Sequence, residues 1–106
     1  MGKKQRPRTE RRVRERAARE IVRDRQKLAL LSDGGTPERP IEVASASVIA
    51  PRVRGTPCPL CEGTLRLDDE SAGTRAGRLV HAAHVSCVSC GVARVLWFRV
   101  APPLPS

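Results

Sequence analysis

Two cysteine pairs, Cys58-Pro59-Leu60-Cys61 and Cys87-Val88-Ser89-Cys90, decide how this sequence folds. Each pair has two residues between its cysteines, and 25 residues separate the pairs. This spacing is typical of a closed tetrahedral site in which four thiolates surround one zinc ion. The pattern therefore predicts one structural zinc ion with four ligands, which are Cys58, Cys61, Cys87 and Cys90.

Disulfide bonds or a redox pair are the alternative use of these cysteines, and the predicted compartment argues against both. The first twenty residues are rich in arginine and contain Glu10, Glu15 and Glu20. They therefore lack the apolar run of a secretory signal and the acid-poor composition of a transit peptide. No stretch approaches the ~20 apolar residues of a membrane span. We expect a cytoplasmic protein without a membrane role, and paired cysteines in the cytoplasm usually bind metal.

Alternating segments around the cysteine pairs predict three strands. Residues 64–68 alternate after the first pair, residues 78–86 lead into the second, and residues 92–100 are rich in β-branched and aromatic side chains. Such runs are typical of half-buried strands. The polar residues 69–77 contain two glycines and are expected to form an exposed loop.

The segment over residues 56–100 resembles a zinc ribbon, and the resemblance covers under half of the chain. It rests on the motifs CPLC and CVSCG and on the strand that follows each motif. Zinc ribbons have two cysteine turns, called knuckles, that clamp zinc beside a three-stranded antiparallel sheet. They occur in transcription factors, RNA polymerase subunits, ribosomal proteins and adaptor domains. The resemblance implies the same four ligands but no activity, because one fold hosts many functions. One departure is Glu62, which stands where many first knuckles have glycine.

Residues 1–31 form a basic arm. They hold 12 Lys/Arg and 4 Asp/Glu, a net charge of +8, whereas residues 32–106 carry a net charge of +1. Good helix formers over residues 10–31 predict a helix, with Thr9 as its N-cap. A solvated helix without a partner is one interpretation. The other is binding to the phosphates of RNA, DNA or a ribonucleoprotein. The arginines expected to make these contacts are Arg11, Arg12, Arg16, Arg19 and Arg23.

Residues 32–55 are expected to be a flexible linker between the arm and the ribbon. Within it, residues 41–49 alternate and predict a short strand or an extended tether that ends at Pro51. Residues 101–106 are a Pro-rich tail, which cannot continue a β-ladder. The predicted fold is small α+β, with an N-terminal basic α-helix, a linker and a C-terminal three-stranded antiparallel β zinc ribbon.

Trp97 and Phe98 are the only aromatic residues in the 106-residue chain, so the core is thin and depends on the metal site. Because they are adjacent on a strand, one points into the core and the other to the outer face. The outer one either covers the N-terminal segment or contacts a partner protein or an unstacked base. His81 and His84 fall on opposite faces of a strand, and we do not expect them to bind the ion.

These features support two functional hypotheses. The first is a nucleic-acid or ribonucleoprotein-associated module that uses its basic arm. The alternative is a protein–protein adaptor that docks through the ribbon face around Trp97 or Phe98. Four cysteines close the zinc site, and no nucleophile–base constellation is visible. We therefore expect neither enzymatic activity nor a small-molecule substrate.

Overall fold

A computed structural model describes residues 7–101 and confirms the predicted α+β class. Residues 1–6 of the predicted arm and residues 102–106 of the predicted tail lie outside the described residues. The elements in chain order are α1 (Pro7–Leu31), β1 (Ile41–Val43), a 3-10 turn (Ala46–Val48), α2 (Ile49–Arg54), β2 (Leu65–Arg75), β3 (Arg78–Cys87) and β4 (Ala93–Val100).

The strands form one mixed sheet in the order β1-β4-β3-β2. The predicted antiparallel arrangement of three strands is present, since β3 pairs antiparallel with both β2 and β4. The fourth strand, β1, lies parallel to β4 and places Ile41 opposite Phe98. The sheet therefore has one strand more than predicted, because β1 occupies the free edge of β4.

The strand expected over residues 41–49 is limited to Ile41–Val43, and the segment after it turns helical. Ile49 and Val53 are completely buried four residues apart on α2, so helical spacing of apolar residues prevails over the alternation. Pro51 was expected to end the predicted strand, but it lies inside a helix. It lies in the first turn of α2, where its missing N–H would have no helical partner. Much of the expected linker is thus packed structure.

Residues 69–77, expected to be a loop, instead extend the β2–β3 hairpin. The two strands pair out to Arg75 and Arg78, and only Ala76 and Gly77 form the turn. Both turn residues have positive φ, 51° and 76°, as the tight turns that match strand twist require. The prediction that these residues are exposed is confirmed. The outer part of β2 is an edge strand without an apolar face.

The core lies between α2 and one face of the sheet, with Phe98 as its largest fully buried side chain. Two of the four cysteines, Cys58 and Cys87, belong to the same buried cluster. The cluster consists of Val43, Ile49, Val53, Cys58, Leu65, Ala83, Val85, Cys87, Leu96 and Phe98. The cysteine site and the hydrophobic core are therefore one packed unit.

Helix α1 projects from this unit, and the described molecule measures 76 × 26 × 23 Å. Thr9 lies inside the helix and is therefore not its N-cap. The helix is held at its C-terminal end: Arg39 Nη1 donates to the Leu31 carbonyl oxygen at 3.0 Å, and the Trp97 amide donates to that of Gly34 at 2.8 Å. A Cβ on Gly34, whose φ is +82°, would lie 2.7 Å from Ile41.

None of the described helices is long and apolar enough to cross a membrane.

Candidate metal centre and arginine track

The structure brings the four predicted ligands together. Their Sγ atoms all lie within 4.8 Å of one another, so one metal ion can be held by all four. Two short sulfur–sulfur distances join the two knuckles: Cys61 lies 3.4 Å from Cys87, and Cys58 lies 3.7 Å from Cys90. Each knuckle contributes one buried and one exposed cysteine, since Cys58 and Cys87 are buried and the other two are exposed.

Backbone amides point at the sulfurs inside both knuckles, which are residues 58–63 and 87–91. The Leu60 amide lies 3.4 Å from Cys58 Sγ, and the Ser89 and Cys90 amides each lie 3.4 Å from Cys87 Sγ. Such N–H groups favour the thiolate and fix its orientation around a metal ion. The two-residue spacing of each pair makes this possible, because it folds the chain back over its own sulfur.

The two knuckles are closed by the same turn, although their sequences differ. The Glu62 amide donates to the Cys58 carbonyl oxygen at 2.8 Å, and the Gly91 amide donates to that of Cys87 at 3.0 Å. Both donors have positive φ, 63° and 77°. Glu62 therefore adopts the left-handed conformation that glycine adopts in the second knuckle. For a residue other than glycine this costs roughly 1–2 kcal/mol.

Gly63 is required for a different reason. A Cβ at this position would lie 2.8 Å from Ser89 Oγ and 3.1 Å from Cys87 Sγ. The second knuckle thus packs directly against the backbone of the first. The Val88 amide strengthens this approach by donating to the Thr64 carbonyl oxygen at 3.0 Å.

Two of the thiols differ strongly in acidity. The Cys90 amide, followed by that of Ser89, lowers the pKa of Cys87 to about 6, although burial acts to raise it. For Cys61 the Gly63 amide lowers the pKa, but the Cys87 sulfur, burial and the two other sulfurs together raise it to about 12. Cys87 is therefore the more acidic and Cys61 the less acidic thiol of this close pair. Metal binding to all four sulfurs releases the protons that they carry.

Two arginines near the cysteines were missed by the sequence analysis. Arg94 is half-buried, and burial lowers its pKa while the nearby Cys58 acts to raise it. Its guanidinium can offset negative charge on the thiolates. Arg25 reaches the first knuckle from α1, where its Nη1 donates to the Leu60 carbonyl oxygen at 2.6 Å. No local pattern predicts this contact, because 35 residues separate the two partners.

The two histidines lie outside the cysteine cluster. His81 is half-buried, and its Nδ1 lies 3.6 Å from Glu70 Oε1. His84 is exposed on β3. Among residues 7–101, neither histidine has a ligand atom in the group formed by the four sulfurs.

All five arginines proposed for nucleic-acid contact are exposed on α1. At 3.6 residues per turn, four of them share one face within an arc of about 60°, and Arg8 widens that arc to about 80°. Arg11 lies to one side, and its Nε is 3.2 Å from Glu15 Oε1. We call the shared row the arginine track, which consists of Arg8, Arg12, Arg16, Arg19 and Arg23. Its spacing was present in the sequence, but Arg8 was not included in the prediction.

The structure places Phe98 in the core, completely buried, so this side chain is not available as a partner surface. Trp97 is half-buried and lies on the opposite face of the sheet from Phe98. The guanidinium carbon of Arg75 lies 5.4 Å from the centroid of its ring, within the range of a cation–π contact. A cavity of about 450 Å³ lies beside Trp97, between β4, the first knuckle and the last turns of α1.

Comparisons with models of known protein families, with curated proteins and with solved structures found no match to this chain.

Proposed function

We propose that this chain is a zinc-binding protein in which one structural zinc ion holds the C-terminal half together while the basic arm binds nucleic acid. The observation that carries the zinc assignment is the convergence of four sulfurs within 4.8 Å. Tetrahedral sites made only of thiolates select zinc or iron–sulfur clusters, and a site of this spacing for a single ion favours zinc. Four protein ligands leave no open position, so the proposed role is structural and not catalytic.

The resemblance to zinc ribbons supports the same proposal. Both knuckles carry amides directed at sulfur, and the strands that connect them are antiparallel. Because Cys58 and Cys87 are part of the core, the free energy of zinc binding contributes directly to folding. We therefore expect one zinc per chain by elemental analysis. Excess EDTA should collapse the NMR chemical-shift dispersion of residues 56–100. A dispersed spectrum that survives complete removal of the metal contradicts a structural role.

The nucleic-acid proposal rests on the arginine track. Its five side chains are exposed on a helix that projects from the packed unit, where phosphates can reach them from one side. Arginine binds phosphate in a bidentate manner, and the salt dependence of such binding reports the number of contacts. RNA, DNA and a ribonucleoprotein share this chemistry.

Affinity measured against salt tests this part of the proposal. If five phosphates are contacted, the slope of log K against log salt is about −3.5 for a single strand and about −4.5 for a duplex. A chain that begins at residue 24 keeps Arg25 and should lose this slope. Absence of binding at low salt would exclude a nucleic-acid role for the arm.

One observation favours the alternative, a protein adaptor. Outside the arc of the arginine track, α1 exposes Val13, Ile21 and Leu28, each more than half exposed. An apolar row of this kind can dock on a partner protein. Such binding would persist at high salt and would be lost on changing Ile21 to Asp, whereas phosphate binding would show the opposite salt response.

A further inference from the structure

The cavity beside Trp97 lies at the end of the arginine track. On α1 it is lined by Gln26, Ala29 and Leu30. Gln26 and Leu30 fall within the same arc of the helix as the track, one and two turns beyond Arg23. A strand whose phosphates follow the arginines toward the C-terminal end of α1 therefore arrives at the mouth of this cavity.

The lining of the cavity suits a flat aromatic group that carries hydrogen-bond acceptors at its edge. Leu60, Val95 and Trp97 supply apolar surface, and Arg94 is the charged residue of the lining. Arg75 lies against the Trp97 ring, which adds a second positive charge near the same ring. Stacking on aromatic side chains beside a positive groove is the usual way in which single strands are bound.

We propose that this cavity receives an unpaired nucleobase of a single-stranded nucleic acid whose phosphates lie along the arginine track. The inference rests on the proposed function and narrows it, because it names a single strand as the ligand class. Paired bases in a duplex are stacked on one another and would have to be extruded before one could enter. The continuity of the track with the cavity, together with the positive charge of Arg75 at the Trp97 ring, selects this occupant over an apolar side chain of a partner protein.

The protein contains one tryptophan, so its fluorescence reports on the cavity directly. We expect a short oligo(U) strand to quench Trp97 fluorescence as it binds the zinc-loaded full chain at low salt. A fully paired RNA duplex of the same length should not quench it. Binding measured separately, by anisotropy of a labelled strand, shows whether quenching follows occupancy.

Two neighbouring leucines provide a matched pair of variants. Leu30 lines the cavity and is 56% exposed, whereas Leu31 is 66% exposed and does not line it. Neither L30E nor L31E replaces a buried side chain, and the two variants are compared at strand concentrations that saturate each of them by anisotropy. L30E should abolish the quenching at saturation, because it removes apolar lining from the cavity, whereas L31E should retain it.

The outcomes separate this inference from the proposed function. Binding of oligo(U) without quenching, or equal quenching of L30E and L31E at saturation, overturns the base cavity and leaves nucleic-acid binding by the arm intact. Equal quenching by the duplex also overturns it, because the ligand class would then be wrong. If neither strand nor duplex binds at low salt, the proposed function fails, and the inference fails with it.

Discussion

Arg25 Nη1 donates a 2.6 Å hydrogen bond to the carbonyl oxygen of Leu60, which lies between two of the cysteines. The Leu60 amide in turn lies 3.4 Å from Cys58 Sγ. The basic arm is therefore fastened to the first knuckle itself. The arm therefore contacts the knuckle that carries two of the four proposed metal ligands.

Changing Arg25 to alanine should loosen the arm without unfolding the sheet. The contact is charge-assisted but exposed, so we expect a loss of at most about 1 kcal/mol of stability. Amides in the last turns of α1 should exchange with solvent faster. Arg23→Ala is the matched control, since it removes an exposed arginine two residues away that belongs to the track. Equal exchange rates in the two variants would show that the Arg25–Leu60 contact does not hold the arm.

The adjacent residues Glu62 and Gly63 should respond to substitution with opposite signs. Glu62→Gly removes the strain of a left-handed conformation, but it also makes the unfolded chain more flexible. We expect a net increase of about 0.5–1 kcal/mol in the free energy of unfolding. Gly63→Ala places a Cβ 2.8 Å from Ser89 Oγ and should separate the knuckles, which weakens both stability and metal affinity. Thermal unfolding of the zinc-loaded proteins measures both effects. A stabilising Gly63→Ala would mean that the knuckles do not approach as closely as described.

Metal affinity should rise with pH through the neutral range. Cys87, with a pKa of about 6, is already a thiolate at neutral pH, whereas Cys61, with a pKa of about 12, must lose its proton to become a ligand. Acid therefore competes with the metal, and the competition becomes steeper below about pH 6, where Cys87 is also protonated. Calorimetry in buffers of different ionisation enthalpy should detect protons released on binding. Zinc binding that releases no proton at neutral pH would contradict this assignment.

The sequence predicted the parts of the molecule that depend on local spacing. The two-residue spacing within each cysteine pair specifies the knuckle turns, and the run of helix formers specifies most of α1. The register of β1 against β4 could not be predicted, because Ile41 and Phe98 are far apart in the chain and only three residue pairs join them. The choice between strand and helix at Ile49 and Val53 was decided by tertiary packing against the sheet. The contact from Arg25 to Leu60 is likewise a product of the assembled fold.

The arginine track can be tested with single substitutions on opposite sides of α1. Arg16 belongs to the track, whereas Arg14 lies on another face, where its Nη2 is 4.0 Å from Glu10 Oε2. Both are exposed, and changing either one to glutamine removes one positive charge from the same helix. If phosphates follow the track, Arg16→Gln should make the slope of log K against log salt shallower by about 0.7 for a single strand. Arg14→Gln should change the slope much less, because its side chain faces away from the bound strand. Identical slopes for the two variants would show that the arm attracts nucleic acid through its total charge and that no particular face is used.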